Sequence, residues 1–201
     1  MEQLFVLFDS IKVLSPELRA YIKSILVSRS VKKKEILLKE GQVARHIYFI
    51  EKGLVRSYRF KKGKERTSWF MKENDVCVSI LSFFLQTPAR ETIEALEDCV
   101  IYYITYEELQ KAYELFPEFN LHGRVILELY YQLSEKRNEM REMSTLGRFE
   151  FLMERQPELM GRVSQKLLAS YLNMEPETFS HQKSIFTHKK GKNGSDQGIE
   201  P

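Results

Sequence analysis

From Val31 to Ile104 the chain is written in short β-branched and aromatic runs: Ile36-Leu37-Leu38, Ile47-Tyr48-Phe49-Ile50, Val76-Cys77-Val78 and Val100-Ile101-Tyr102-Tyr103-Ile104. Gly41, Gly53 and Gly63 stand between them. Short runs of this kind fit a pleated surface, and the glycines mark its turns. The pattern predicts an antiparallel barrel or roll over about residues 28 to 104.

Helices flank this region. Leu4, Phe5, Leu7, Phe8 and Ile11 recur at helical spacing, and Ser15-Pro16-Glu17 reads as a cap, a first-turn proline and an acid favoured by the helix dipole. The first 27 residues are therefore expected to be mostly helical. On the other side, Thr105 and Glu108 have capping-box spacing, and Pro117 ends the helix they start.

A long helix follows, over about 118 to 143. His122, Ile126, Leu129, Leu133, Lys136, Met140 and Met143 step by four and three along it, a coiled-coil seam with polar interruptions. Such a seam packs either on its own roll or on a second copy. Val125 and Tyr130 offer a separate apolar side for the roll, so a parallel homodimer is expected through Ile126, Leu129, Leu133 and Met140.

Three shorter helical pieces come next, around Leu146 to Arg155, Ser164 to Leu172 and Pro176 to Phe186. Ser164 is placed to cap the middle one, Asn173 sits where a left-handed residue would close it, and Pro176 restarts a helix after a three-residue turn. That is the shape of a helix-turn-helix. From Arg162 to Lys192 there are six Lys or Arg against two acids, although the whole chain carries a net charge of only +3. The local excess supplies the electrostatic part of phosphate binding. The last stretch, Thr187 to Pro201, has little to bury and is expected to be a flexible tail.

Composition excludes several functions. The 201 residues are 43% hydrophobic, enough for a proper core. No run approaches the about 18 apolar residues of a membrane span, and no secretory signal is legible, so a cytoplasmic protein without a membrane partner is expected. His46, His122, His181 and His188 are too scattered for a metal site, and no nucleophile elbow, phosphate loop or Cys-x-x-Cys occurs. No enzyme, metal or cofactor is expected. Cys77 and Cys99 lie in strand runs and read as buried small hydrophobes, with redox sensing as the weaker alternative. Lys32-Lys33-Lys34 and Lys61-Lys62-Gly63-Lys64 read as solvated turns that guard strand edges.

A glycine-punctuated roll, a seam-bearing helix and a helix-turn-helix, in that order, resemble the Crp-Fnr family of bacterial transcription regulators over nearly the whole chain. Glu40-Gly41-Gln42-Val43-Ala44 with Ile47 to Arg56 is similar to the family's early roll. Arg90 with Ile93 to Asp98 is similar to the later half of its effector cassette, and Val163 to Lys166, Leu168 to Leu172 and Pro176 to Ser180 to its DNA-reading unit. The short end, with no wing after the last helix, resembles the branch common in Bacteroidetes.

The resemblance implies an α+β chain: a cyclic-nucleotide-binding-domain-like β-roll with flanking helices over 1–117, a dimerisation helix over 118–143, a helix-turn-helix domain over 144–187 and a tail over 188–201. It implies double-stranded DNA as partner, with RNA polymerase as a further one, and contacts from Ser164, Gln165, Lys166, Pro176, Glu177, Thr178, Ser180, His181 and Lys183. Val78, Ser79 and Arg90 fall at the effector pocket. The chain departs from the family at three places in its DNA-reading unit. His181 stands where many relatives have a two-donor arginine, Gln182 where they have an aliphatic residue, and Glu175 where a better cap is usual. These departures, with the missing wing, carry the rival reading, a sensor or interaction module that has lost sequence-specific DNA binding. Cyclic AMP is not the expected effector. The segment Asn74 to Leu81 has no glycine for close backbone approach, and no glutamate lies between Glu73 and Glu91 to hold a ribose. Arg90 is then either an anion ligand or a partner for Glu94, Glu97 or another acid, and the roll is expected to hold a different small acidic or apolar ligand, or none, with Trp69, Phe83 and Phe84 filling the space.

Overall fold

The computed structural model describes residues 1–61 and 63–195, the last seven of these by backbone alone. The chain divides into two compact units, Met1–Tyr131 and Gln132–Pro201.

The first unit opens with α1 (Glu2–Ile11) and α2 (Pro16–Ile25). The Ser15 hydroxyl accepts a hydrogen bond from the Leu18 amide, the cap read from sequence. Strands β1 (Val27–Val31), β2 (Ile36–Leu38), β3 (His46–Lys52), β4 (Val55–Lys61), β5 (Lys64–Met71) and β6 (Val76–Cys77) follow. A short α3 (Ile80–Leu85) separates them from β7 (Thr92–Ala95) and β8 (Cys99–Thr105). All pairings are antiparallel and form two sheets, ordered β1-β8-β3-β6 and β2-β7-β4-β5. The expected roll is present.

Between the sheets lie Leu38, Ile50, Val55, Ile93, Ala95 and Ile101 in one hydrophobic core, to which α1 and α2 add Leu4, Phe5, Phe8, Leu18 and Ile22. A buried aliphatic or aromatic side chain of this kind stabilises by about 1.5–3 kcal/mol. Gly53 is required at the β3–β4 turn. Its φ is +102°, and a Cβ there would lie 2.6 Å from the Cys99 sulfur.

α4 (Tyr106–Leu115) has the complete capping box, Thr105 with Glu108, and stops before Pro117. α5 (Phe119–Glu142) then runs from the first unit into the second. The second unit continues with α6 (Thr145–Arg155), α7 (Leu159–Arg162), α8 (Gln165–Tyr171) and α9 (Pro176–Ser195). α9 differs from expectation: its backbone stays helical to Ser195 rather than stopping near Phe186. After Pro176 no proline interrupts it, and isolated glycines weaken a helix without breaking it. The expected tail thus lies partly in α9, and residues 196–201 lie outside the described residues.

Cys77 and Cys99 are buried free thiols. Burial pushes both thiols up, well away from the thiolate form. No helix among the described residues is long and apolar enough to cross a membrane.

Candidate nucleic-acid interface and effector cassette

The seam of α5 is divided by what each member touches. His122 is buried, its Nε2 lies 2.8 Å from the Lys12 carbonyl oxygen, and its ring packs on Phe8 and Phe119. Ile126 packs against the core of the roll, and Met140 is fully buried. Leu129 and Leu133 are about half exposed. The four expected seam residues therefore do not form one exposed stripe: only Leu129 and Leu133 present apolar surface, because the ends of the helix are absorbed by packing. Tyr130 faces the roll as read from sequence, its ring 5.7 Å from that of Trp69.

In the second unit, Phe149 of α6 lies between Phe179 and Phe186 of α9, with ring centroids 5.3 and 5.5 Å away. Leu152, Leu159, Leu168, Leu172 and Phe179 complete a small core. α8 ends as expected. Asn173 has φ 53°, its amide donates to the Ser170 carbonyl, and the Met174 amide reaches back to the Ala169 carbonyl at 3.0 Å. Pro176 then opens α9, whose first turn is closed by the Phe179 amide on the Glu175 carbonyl at 3.0 Å.

Two arginines pack on the end of α8 and its turn, and neither was legible in the sequence. Arg148 of α6 donates through Nη1 to the carbonyls of Leu172 and Asn173, 2.9 Å each. A cation there satisfies the oxygens left open at the end of α8 and complements its dipole. Arg137 places its guanidinium 4.4 Å from the Tyr171 ring centre. No local motif announces either arginine, since each is separated from its target by more than twenty residues of sequence.

Seven of the nine expected DNA-contacting residues, Ser164, Gln165, Lys166, Glu177, Ser180, His181 and Lys183, are exposed, and Pro176 and Thr178 are half-buried. They occupy the N-terminal ends of α8 and α9. Ser164 departs in detail: it is the N-cap residue of α8, but its hydroxyl makes no capping hydrogen bond. Gln182 is buried, in agreement with its inward position.

In the first unit, α3 lies between β6 and β7 as a cassette. Ser79 is buried and its hydroxyl donates to Glu91 Oε1 at 2.6 Å. Ser82 donates to the Thr87 carbonyl at 2.5 Å and accepts from the Ala44 amide at 2.8 Å. Phe83 is fully buried with Phe84 and Tyr106 against it at 5.3 and 5.4 Å. Val78 is half-buried. Arg90 is exposed and makes no ion pair among the described residues. Its expected partner Glu94 is held instead by Arg56, with Nη2 at 2.6 Å and Nε at 2.9 Å from Oε2. Arg56 sits directly opposite Glu94 in the β4–β7 register, so the carboxylate is satisfied within the sheet. Arg56 also pairs with Glu65 at 2.5 Å and lies 4.1 Å from the Tyr58 ring centre. Burial opposes its charge, but hydrogen bonds to Glu65 and Glu94 outweigh that and raise its pKa.

Residues 28–115 match the cyclic nucleotide-binding domain. Solved structures align with most of the chain. FixK2 from Bradyrhizobium japonicum aligns with a TM-score of 0.69 at 22% identity, over 83% of this chain and 86% of that one. A transcriptional regulator of the crp/fnr family from Eubacterium rectale gives 0.68 at 18% identity, over 92% and 88%. The Catabolite Activator Protein of Thermus thermophilus gives 0.54 at 17%, over 94% and 88%. At these identities the likeness is one of fold. No curated protein matches the chain.

Proposed function

We propose that this chain is a homodimeric, sequence-specific DNA-binding transcription regulator of the Crp-Fnr type, cytoplasmic and of the branch common in Bacteroidetes. The observation that carries it is the build of the α8–α9 turn. A left-handed Asn173, the Met174-to-Ala169 closure and the Arg148 clamp fix two helices whose leading ends expose Ser164, Gln165, Lys166, Ser180, His181 and Lys183. A buried, clamped scaffold with a polar and basic outer face suits a helix entering the major groove, with phosphate contacts beside it. Leu129 and Leu133 supply the dimer contact, which would set two recognition helices against two half-sites. RNA polymerase is the further partner that such a regulator engages.

The cyclic nucleotide-binding domain acts in this reading as a sensor for an effector other than cyclic AMP, or for none. Ser79 is occupied by the carboxylate of Glu91. A carboxylate at this position disfavours an incoming phosphate. Calorimetry with cyclic AMP and cyclic GMP should show no heat of binding, and micromolar affinity abolished by Arg90→Ala would refute this part.

Selection from random duplexes tests the main reading: a two-fold motif and a steep loss of affinity with salt are expected. Recovery of no motif favours the rival, a sensor module without sequence-specific binding, for which the buried Gln182 is the specific support. Sedimentation should give a dimer that Leu129→Glu with Leu133→Glu converts to monomer.

A further inference from the structure

The β4–β5 hairpin carries a charge arrangement that edge protection leaves unexplained. β4 pairs with β7 only over Val55 to Tyr58, so beyond Tyr58 the hairpin continues as a two-stranded arm. In that arm Arg59 stands directly opposite Arg66, and Lys61 directly opposite Lys64. Side chains two residues apart on a strand share a face, so all four cations stand on one side, in two like-charged cross-strand pairs. Each diagonal neighbour within the set is also a cation. Arg59, Lys61 and Lys64 are exposed and Arg66 is half-buried. The acid within the arm, Glu65, is opposite Phe60 on the other side and is drawn to Arg56.

Guarding an edge needs charge only on the edge strand, β5. Here the inner strand is charged as well, at positions where like charges oppose each other and weaken the hairpin. A two-stranded arm has little stability to spare. Such an arrangement is offset by a ligand that brings a row of negative charge to this face. Arginine and lysine on a β-ribbon are the side chains and the element that nucleic-acid phosphates accept.

We propose that the Arg59/Arg66 and Lys61/Lys64 face is a second nucleic-acid contact, which binds the phosphate backbone without reading sequence. It is independent of the α9 reading, and its test separates the two. The full chain is titrated into a fluorescent random-sequence duplex by anisotropy at several salt concentrations. Wild type is compared with an arm variant (Arg59→Gln, Lys61→Gln, Lys64→Gln, Arg66→Gln) and a helix variant (Lys166→Gln, Lys183→Gln).

The arm variant should bind random duplex at least about tenfold more weakly at low salt. The slope of log K against log salt should fall by about 2–4, since each phosphate contact contributes about 0.9. Its preference for a selected duplex over a random one should be unchanged. It should also melt no lower than wild type, because the like-charge pairs are gone. If α9 does not read DNA, the helix variant will match wild type while the arm variant still loses affinity. An arm variant that melts like wild type and keeps its affinity and slope overturns the proposal. So does wild-type protein that binds no duplex at all. Loss of binding to poly-glutamate alone, with duplex binding intact, would assign the arm to an acidic protein and overturn it equally.

Discussion

Replacing Arg148 tests whether the turn before α9 is held in place or merely follows from local sequence. The Nη1 group makes two hydrogen bonds at 2.9 Å, to the carbonyls of Leu172 and Asn173. Arg148→Met keeps most of the aliphatic volume and removes both. A hydrogen bond with a charged partner contributes about 1.5–3 kcal/mol. The two here share one nitrogen in a half-exposed site, so a combined loss of about 2–3 kcal/mol is expected for the second unit. In a small domain each kcal/mol lowers the melting temperature by about 4–8 °C. Arg148→Met should therefore lower the transition of this unit by about 10 °C or more, read by calorimetry and near-ultraviolet circular dichroism. Arg148→Lys, able to reach one carbonyl, should recover roughly half of the loss. Because the clamp acts at the turn that aims α9, the ratio of affinities for a selected and a random duplex should fall in Arg148→Met even at temperatures where the protein is folded. If Arg148→Met melts within a degree of wild type and retains that ratio, the clamp does not position the helix.

Gly123→Ala should destabilise the first unit, because its Cβ would lie 2.2 Å from the Tyr113 hydroxyl oxygen. Overpacking of about 1–3 kcal/mol exceeds the about 1 kcal/mol gained in helix propensity, and Tyr113→Leu in the same chain should restore the melting temperature. His46 has its pKa lowered by burial, with Glu108 and Glu107 opposing that shift and Arg29 and Arg45 adding to it. The unfolded chain then takes up its proton first as pH falls below about 6.5. Stability should decline from there until the folded pKa is passed, and His46→Phe should flatten a thermal-melt series over pH 5 to 7. Cys77 and Cys99 should fail to react with a thiol reagent in the native protein and react fully in denaturant, since burial disfavours both thiolates. Fast native labelling at neutral pH would restore redox sensing.

Local rules were sufficient for whatever depends on neighbours in the chain. The Ser15 cap, the Thr105–Glu108 box, the stop at Pro117 and the left-handed Asn173 are each settled within a few residues, where one side chain or one φ angle decides the backbone. The alternation of apolar runs likewise sufficed for an antiparallel roll, and the family resemblance picked out residues that the structure places at the leading ends of α8 and α9. What escaped was set by distant segments. The charged outer parts of β4 and β5 form a solvated arm with no apolar run, so their register and its like-charge pairs follow only from pairing. Arg56 takes Glu94 from Arg90 because the β4–β7 register sets them opposite each other. The seam of α5 reads as one stripe in sequence, yet His122 and Ile126 are consumed by the first unit and Met140 is buried, leaving Leu129 and Leu133 on the helix and Met143 just past its end. Periodicity states which side chains share a face of a helix, but burial is decided by what tertiary packing lays against each turn of that face.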